Sequence, residues 1–110
     1  MIKDRMVRIK LKRNFQGHRP MSYVGKVTAF SDEWVVVDGK GVMLSRHEKE
    51  GVQIDAKTSA MVIPRENVES IRVLPDDFDV GNIRVTTEGQ QIQMLVDRAM
   101  DAYLGEMGEG

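Results

Sequence analysis

A mostly β fold, small and strongly bent, with one helix at its C-terminal end, is what this sequence predicts. Three observations carry that expectation. Residues Met6–Lys12 alternate apolar and basic side chains, the period of a half-buried strand. Gly25 interrupts a β-favouring run where a side chain would obstruct a bend or a close neighbour, and small barrels need such bends because a short sheet must curl to meet its own edge. Ala60–Leu74 reads as two short strands meeting at a charged corner, since Pro64 removes a backbone donor and biases Ile63 toward extended geometry.

The composition bounds the function classes. At 110 residues the chain fits one domain with a modest core. It has no cysteine, which removes disulfides and thiolate metal sites and points to a reducing compartment. No apolar run approaches the ~20 residues of a membrane span, and the basic start lacks a signal peptide's apolar stretch. A soluble, cytoplasmic protein without a membrane partner is expected. The net charge of −1 conceals a gradient. Residues 1–30 carry eight basic side chains against Asp4, and residues 76–110 carry eight acids against Arg84 and Arg98. That asymmetry has two readings, a basic face for nucleic acid or charge matching within or between chains.

In the first strand Val7, Ile9 and Leu11 face a core, leaving Arg8, Lys10 and Lys12 for solvent or a ligand. Asn14–Pro20 breaks the pattern with turn formers and places His18 and Arg19 on a loop. Tyr23–Phe30 is the second strand, and its inward set slips from Gly25 and Val27 to Phe30, as a bulge would cause. After the Ser31-Asp32-Glu33 turn, a third strand opens at Trp34. Asp38-Gly39-Lys40-Gly41 reads either as a hairpin turn or as a twisted continuation to Ser45, and the continuation is preferred because it balances lengths. Trp34–Ser45 and Val52–Ile63 then form one long bent hairpin that brings Ser45 to Val52 and Trp34 to Ile63. A further strand restarts after Asn67.

Beyond Leu74, residues 83–86 suggest one more short strand. Thr87 followed by Gln90 resembles a capping box, and Ile92, Leu95, Val96, Ala99 and Tyr103 recur at helical spacing over about residues 88–104. An amphipathic helix is the expectation, lying on the barrel or reaching outward to a partner.

Chemistry for catalysis is sparse. His18 and His47 fall on separate loops, and no serine sits in a strand-turn-helix elbow, so no enzyme is expected. Asp76, Asp77 and Asp79 lack the spacing of a calcium loop, so neither a metal nor another cofactor is expected. Trp34, the only tryptophan, is either a core or interface anchor or an exposed platform for a base. Arg65 is either a solvated corner residue or a phosphate contact.

Two motifs resemble the Sm-like family, which includes the Sm, LSm and Hfq proteins. The first runs Val7-x-Ile9-x-Leu11, then Tyr23-x-Gly25-x-Val27-x-x-Phe30-x-Asp32-x-Trp34-Val35-Val36-Val37-x-Gly39. The second is Ile63-Pro64-Arg65-Glu66-Asn67-Val68-x-x-Ile71. The resemblance implies a five-stranded antiparallel, SH3-type barrel over residues 1–75, followed by the acidic extension 76–110 with its short strand and helix. It also implies a homo-oligomeric ring of six or seven copies, made by pairing one copy's fourth strand with the next copy's fifth. The loops at Asp32-Glu33-Trp34 and Pro64-Arg65-Glu66-Asn67 would converge near the pore and bind single-stranded RNA, with Trp34 at the stacking aromatic of Hfq and Arg65 at its basic residue. Glu66 stands where Hfq has a histidine, an acid that repels phosphate.

The expected function is thus a ring-forming module that binds single-stranded RNA or a ribonucleoprotein partner through Asp32, Trp34, Arg65 and Asn67, with Lys10 and Lys12 on the basic strand. The alternative is a structural, protein-interaction module that keeps the barrel and the oligomer but binds no RNA.

Overall fold

The computed structural model describes residues 2–13 and 18–109, and the first four residues of the expected Asn14–Pro20 turn lie outside them. The described residues are mostly β, and no α-helix occurs among them. One sheet contains β1 (Met6–Leu11), β2 (Met21–Phe30), β3 (Trp34–Leu44), β4 (Val52–Ile54), β5 (Ser59–Pro64) and β6 (Val68–Val73). A second contains β7 (Val85–Glu88), β8 (Gln91–Met94) and β9 (Ala102–Glu106), and all pairings are antiparallel.

The long hairpin forms, one residue out of the expected register: Val52 pairs with Leu44 and not Ser45, and Ile63 with Val35 and not Trp34. Trp34 stands opposite Pro64, with β4 and β5 as two segments of one return arm. β3 runs unbroken through Gly39 and Gly41, and the turn is closed by Ser45 N–H donating to Gly51 O at 2.9 Å. The β2 bulge falls between Val27 and Ala29. Gly25 faces Gly39 across the β2–β3 ladder, where a Cβ on Gly25 would lie 2.2 Å from Asp38 O. Two bare backbones therefore touch where β2 and β3 meet at this pair.

Alternation divides the first sheet into two faces. The inner face gathers Val7, Ile9, Val27, Val35, Val37 and Ile63 into one core. Sheet order β4-β3-β2-β1-β6, with β5 also on β3, leaves β5 and β6 each paired on one side only. The bent sheet is thus open: the two strands flank the single turn Arg65–Asn67 and do not form a ladder with each other.

The C-terminal helix expected over residues 88–104 does not form. Those residues instead supply part of β7, all of β8 and the start of β9, so Thr87 is a strand residue and Gln90 belongs to a turn. Gly89 at φ 63° opens a two-residue loop between Glu88 and Gln91, the conformation a tight hairpin requires. Ile92, Met94, Val96, Ala102 and Leu104 all point into a second core with Val24, Val42, Leu44, Val52 and Leu74, on the outer face of the first sheet. That apolar outer face is best covered by a surface of period two, which outweighs a local helical pattern.

Burying the outer face also buries cations. Arg8, 7% exposed, donates to Ser70 Oγ at 3.4 Å and Tyr103 O at 3.3 Å. Burial, and then the neighbouring Arg72, pull its guanidinium below its ordinary pKa, opposed by Glu69. Tyr103 donates its hydroxyl to Glu106 at 3.0 Å. Its pKa is pushed up to about 12 by burial, then by that hydrogen bond and the charges of Glu106, Glu109 and Glu69.

The folded chain therefore keeps the Tyr103 proton to higher pH than the unfolded chain, whose tyrosines titrate near about pH 10. This contribution to stability is complete below about pH 10 and is lost as pH rises through about 12. In denaturant titrations from pH 9 to 12 the stability advantage of wild type over Tyr103→Phe is expected to shrink with pH. A constant difference would contradict the assignment. Tyr23, raised by burial and then by Asp55, remains in both proteins and cancels.

Candidate functional site

The corner is built by local backbone chemistry. Ser31 Oγ accepts the N–H groups of Glu33 at 3.3 Å and Trp34 at 3.2 Å, and Ser31 N–H donates to Trp34 O at 3.0 Å. Such hydroxyl-to-backbone bonds fix tight turns. The other half of the corner is pinned to this turn, since Arg65 N–H donates to Glu33 O at 2.9 Å. Pro64, opposite Trp34, ends the ladder and the chain turns through Arg65–Asn67 into β6.

Side chains complete the site. The Arg65 guanidinium lies 4.6 Å from the centre of the Phe30 ring, donates to Ser31 O at 3.0 Å and approaches Asp32 at 3.9 Å. Cation and ring hold each other in place at the surface. Trp34 is 48% exposed and so is not a core residue. With Asp32, Glu33, Pro64, Arg65 and Glu66 it lines an open cleft of about 380 Å³. The cleft offers one flat aromatic surface and one guanidinium, within a rim of three carboxylates.

The structure brings Asp32, Trp34 and Arg65 together. Asn67 follows on the same turn, and its carbonyl accepts Lys12 N–H at 2.8 Å, so Lys12, which is exposed, stands beside the corner. Lys10 does not join them. It lies on the outer face, 6% exposed, bonded to Glu69 at 3.1 Å with Nζ 5.9 Å from the Tyr103 ring centre. Alternation gives Lys10 the correct face, but β9 covers that face. Phe30 and Ser31 are the two members that pattern reading missed. The sequence marks the Ser31-Asp32-Glu33 turn, and the Ser31 hydroxyl, able to bond the N–H groups two and three residues on, is the signal that would have made Ser31 a member of the corner.

Elsewhere, opposite charges meet. Arg5 pairs with Asp76 at 3.1 Å, Arg98 with Asp77 at 2.6 Å, and Arg13 with Glu109, while Asp79 accepts Gly81 N–H at 2.9 Å. Part of the charge gradient is therefore matched within the chain. Among the described residues no three His, Cys, Asp or Glu side chains gather as a metal site, and no helix is long and apolar enough to cross a membrane.

Taken together, the fold and this corner define a bent antiparallel domain in which β5 and β6, each paired on one side only, flank an aromatic, acid-rimmed surface. Comparison with family models, curated proteins and solved structures gives no match.

Proposed function

We propose that this chain is a ring-forming Sm-like module. In this reading the bent sheet is the family's barrel, copies join through β5 of one and β6 of the next, and the repeated Trp34–Arg65 corners contact single-stranded RNA or a ribonucleoprotein partner. The observation that carries it is the pair of unpaired edges flanking one corner. Each edge presents backbone donors and acceptors that another strand can satisfy. Each also exposes apolar side chains that isolated copies leave in water: Met61 and Val62 on β5, Val73 on β6. The half-exposed Trp34 beside Arg65 supports the RNA part, because a base can stack on an indole at about 1–3 kcal/mol per contact.

A second reading is an assembly that binds protein and no RNA. The carboxylates of Asp32, Glu33 and Glu66 around Trp34 favour it, because they repel phosphate.

The test combines light scattering with fluorescence anisotropy on labelled oligouridine and oligoadenosine. The expected result is a mass of several chains and binding tighter than about 100 μM that weakens with salt. Trp34→Ala should weaken binding roughly tenfold or more and leave the mass unchanged. Multimers without binding to either oligomer would select the second reading, and a mass of one chain would remove both.

A further inference from the structure

The loop joining β8 to β9 is fixed along its length yet leaves an apolar tip in water. Asp101 Oδ1 accepts Val96 N–H at 3.1 Å, Arg84 bonds Asp97 at 3.2 Å, and Arg98, at φ 61°, reaches Asp77 at 2.6 Å. From β6, Arg72 donates to Met100 O at 2.6 Å and to Asp101 O at 3.4 Å. Within this frame the Met100 side chain is 81% exposed, the highest value among the exposed large apolar side chains described. These polar contacts order the loop and gain nothing from a methionine at its tip.

Arg72 fixes where that tip stands. β6 is a terminal strand of the open sheet, and Arg72 lies on its outer face, opposite Arg8. The same face continues from Arg8 to Val24, from Val24 to Lys40, along β3 to Val36, and from Val36 to Val62 on β5, the other unpaired edge. Val62 is 59% exposed. On the inner face the same two edges expose Val73, at 39%, and Met61, at 36%. Joining β6 of one copy to β5 of the next would make both faces continuous. It would set Val73 on the side of Met61 and Met100 on the side of Val62.

We infer that Met100 is a clamp that closes over Val62 of the next copy, so that the C-terminal layer fixed on one subunit also grips its neighbour. The inference rests on the edge pairing proposed above and adds to it a side-chain contact that backbone pairing does not itself require. A second copy is the occupant because it matches an exposed apolar residue on both faces of the join, Val73 with Met61 on the inner face and Met100 with Val62 on the outer. An unrelated strand supplies the backbone bonds without that match.

The absence of native cysteine makes the test direct. A Met100→Cys, Val62→Cys double variant, oxidised mildly and run on a non-reducing denaturing gel, is expected to give a ladder of cross-linked chains, whereas each single variant stops at dimers or below. Met100→Asp is expected to move the concentration at which the assembly dissociates upward at least tenfold by light scattering. Its melting temperature as a dilute single chain should stay at the wild-type value, since the side chain is exposed. Wild-type protein at the mass of one chain would overturn the edge pairing and the clamp together. A wild-type multimer whose double variant gives no ladder, and whose Met100→Asp variant dissociates like wild type, would overturn the clamp alone.

Discussion

Replacing Gly39 by valine is expected to destabilise the fold by about 3 kcal/mol or more, toward the upper end of overpacking effects. A Cβ at this position would lie 2.0 Å from Val24 O and 2.7 Å from Gly25 Cα. Both obstacles are backbone, so no change of rotamer relieves the clash and the β2–β3 ladder must separate. That ladder holds both cores, since Val27 and Val37 face inward while Val24 and Val42 face outward. For a domain whose whole stability is about 5–15 kcal/mol, the loss is a large fraction. Thermal unfolding followed by circular dichroism should show a fall of at least about 10 °C. Gly108→Ala is the control, because nothing lies within 4 Å of a Cβ there, and it should melt with wild type. A Gly39→Val protein melting with that control would show that the strands do not approach so closely.

Removing residues 85–110 is expected to abolish cooperative folding. The deletion uncovers Val24, Val42, Leu44, Val52 and Leu74, each at most 6% exposed in the intact chain. Burying such side chains contributes about 1.5–3 kcal/mol apiece, so the combined loss is of order 10 kcal/mol as an upper figure, comparable with the stability of the whole domain. Arg8 and Arg72 would also lose the carbonyls of Tyr103, Met100 and Asp101 that accept their hydrogen bonds. The shortened chain should aggregate, or remain soluble only as a compact state that binds a hydrophobic dye and lacks a thermal transition. Leu104→Ala, a milder change at a fully buried position, should cost about 2–5 kcal/mol and retain a cooperative melt. A soluble 1–84 fragment with a sharp melting transition would mean that the first sheet is self-sufficient and the C-terminal layer an accessory.

Much of the first sheet could be read from residue order because its determinants are local. The alternation at Val7, Ile9 and Leu11 assigns faces in β1. The matched lengths of Trp34–Ser45 and Val52–Ile63 reveal the hairpin to within one residue of its register, and Pro64 ends the ladder. Gly25 and the shift toward Phe30 mark the bend and the bulge. Of the corner, Trp34 and Arg65 stand out in the residues themselves, as the one tryptophan and the basic residue after Pro64, while Asp32 enters through the family resemblance. The fold brings these three together.

The C-terminal third was misread because Ile92, Leu95, Val96, Ala99 and Tyr103 fit a helix while Ile92, Met94 and Val96 fit a strand equally well. Gly89-Gln90 held the hairpin signal, yet the choice between periods depends on what the segment must cover. By itself the sequence determined which side chains share a face and where the chain must turn, because backbone period and glycine or proline sterics act over a few residues. Only the tertiary structure decided that the outer face of β1 to β4 is itself a core, that three strands and not a helix enclose it, and that Lys10 is withdrawn beneath Tyr103 while Trp34 stays in solvent. Those outcomes depend on which distant surfaces meet and exclude water from each other, a property that arises only when residues 6–54 and 85–106 lie face to face.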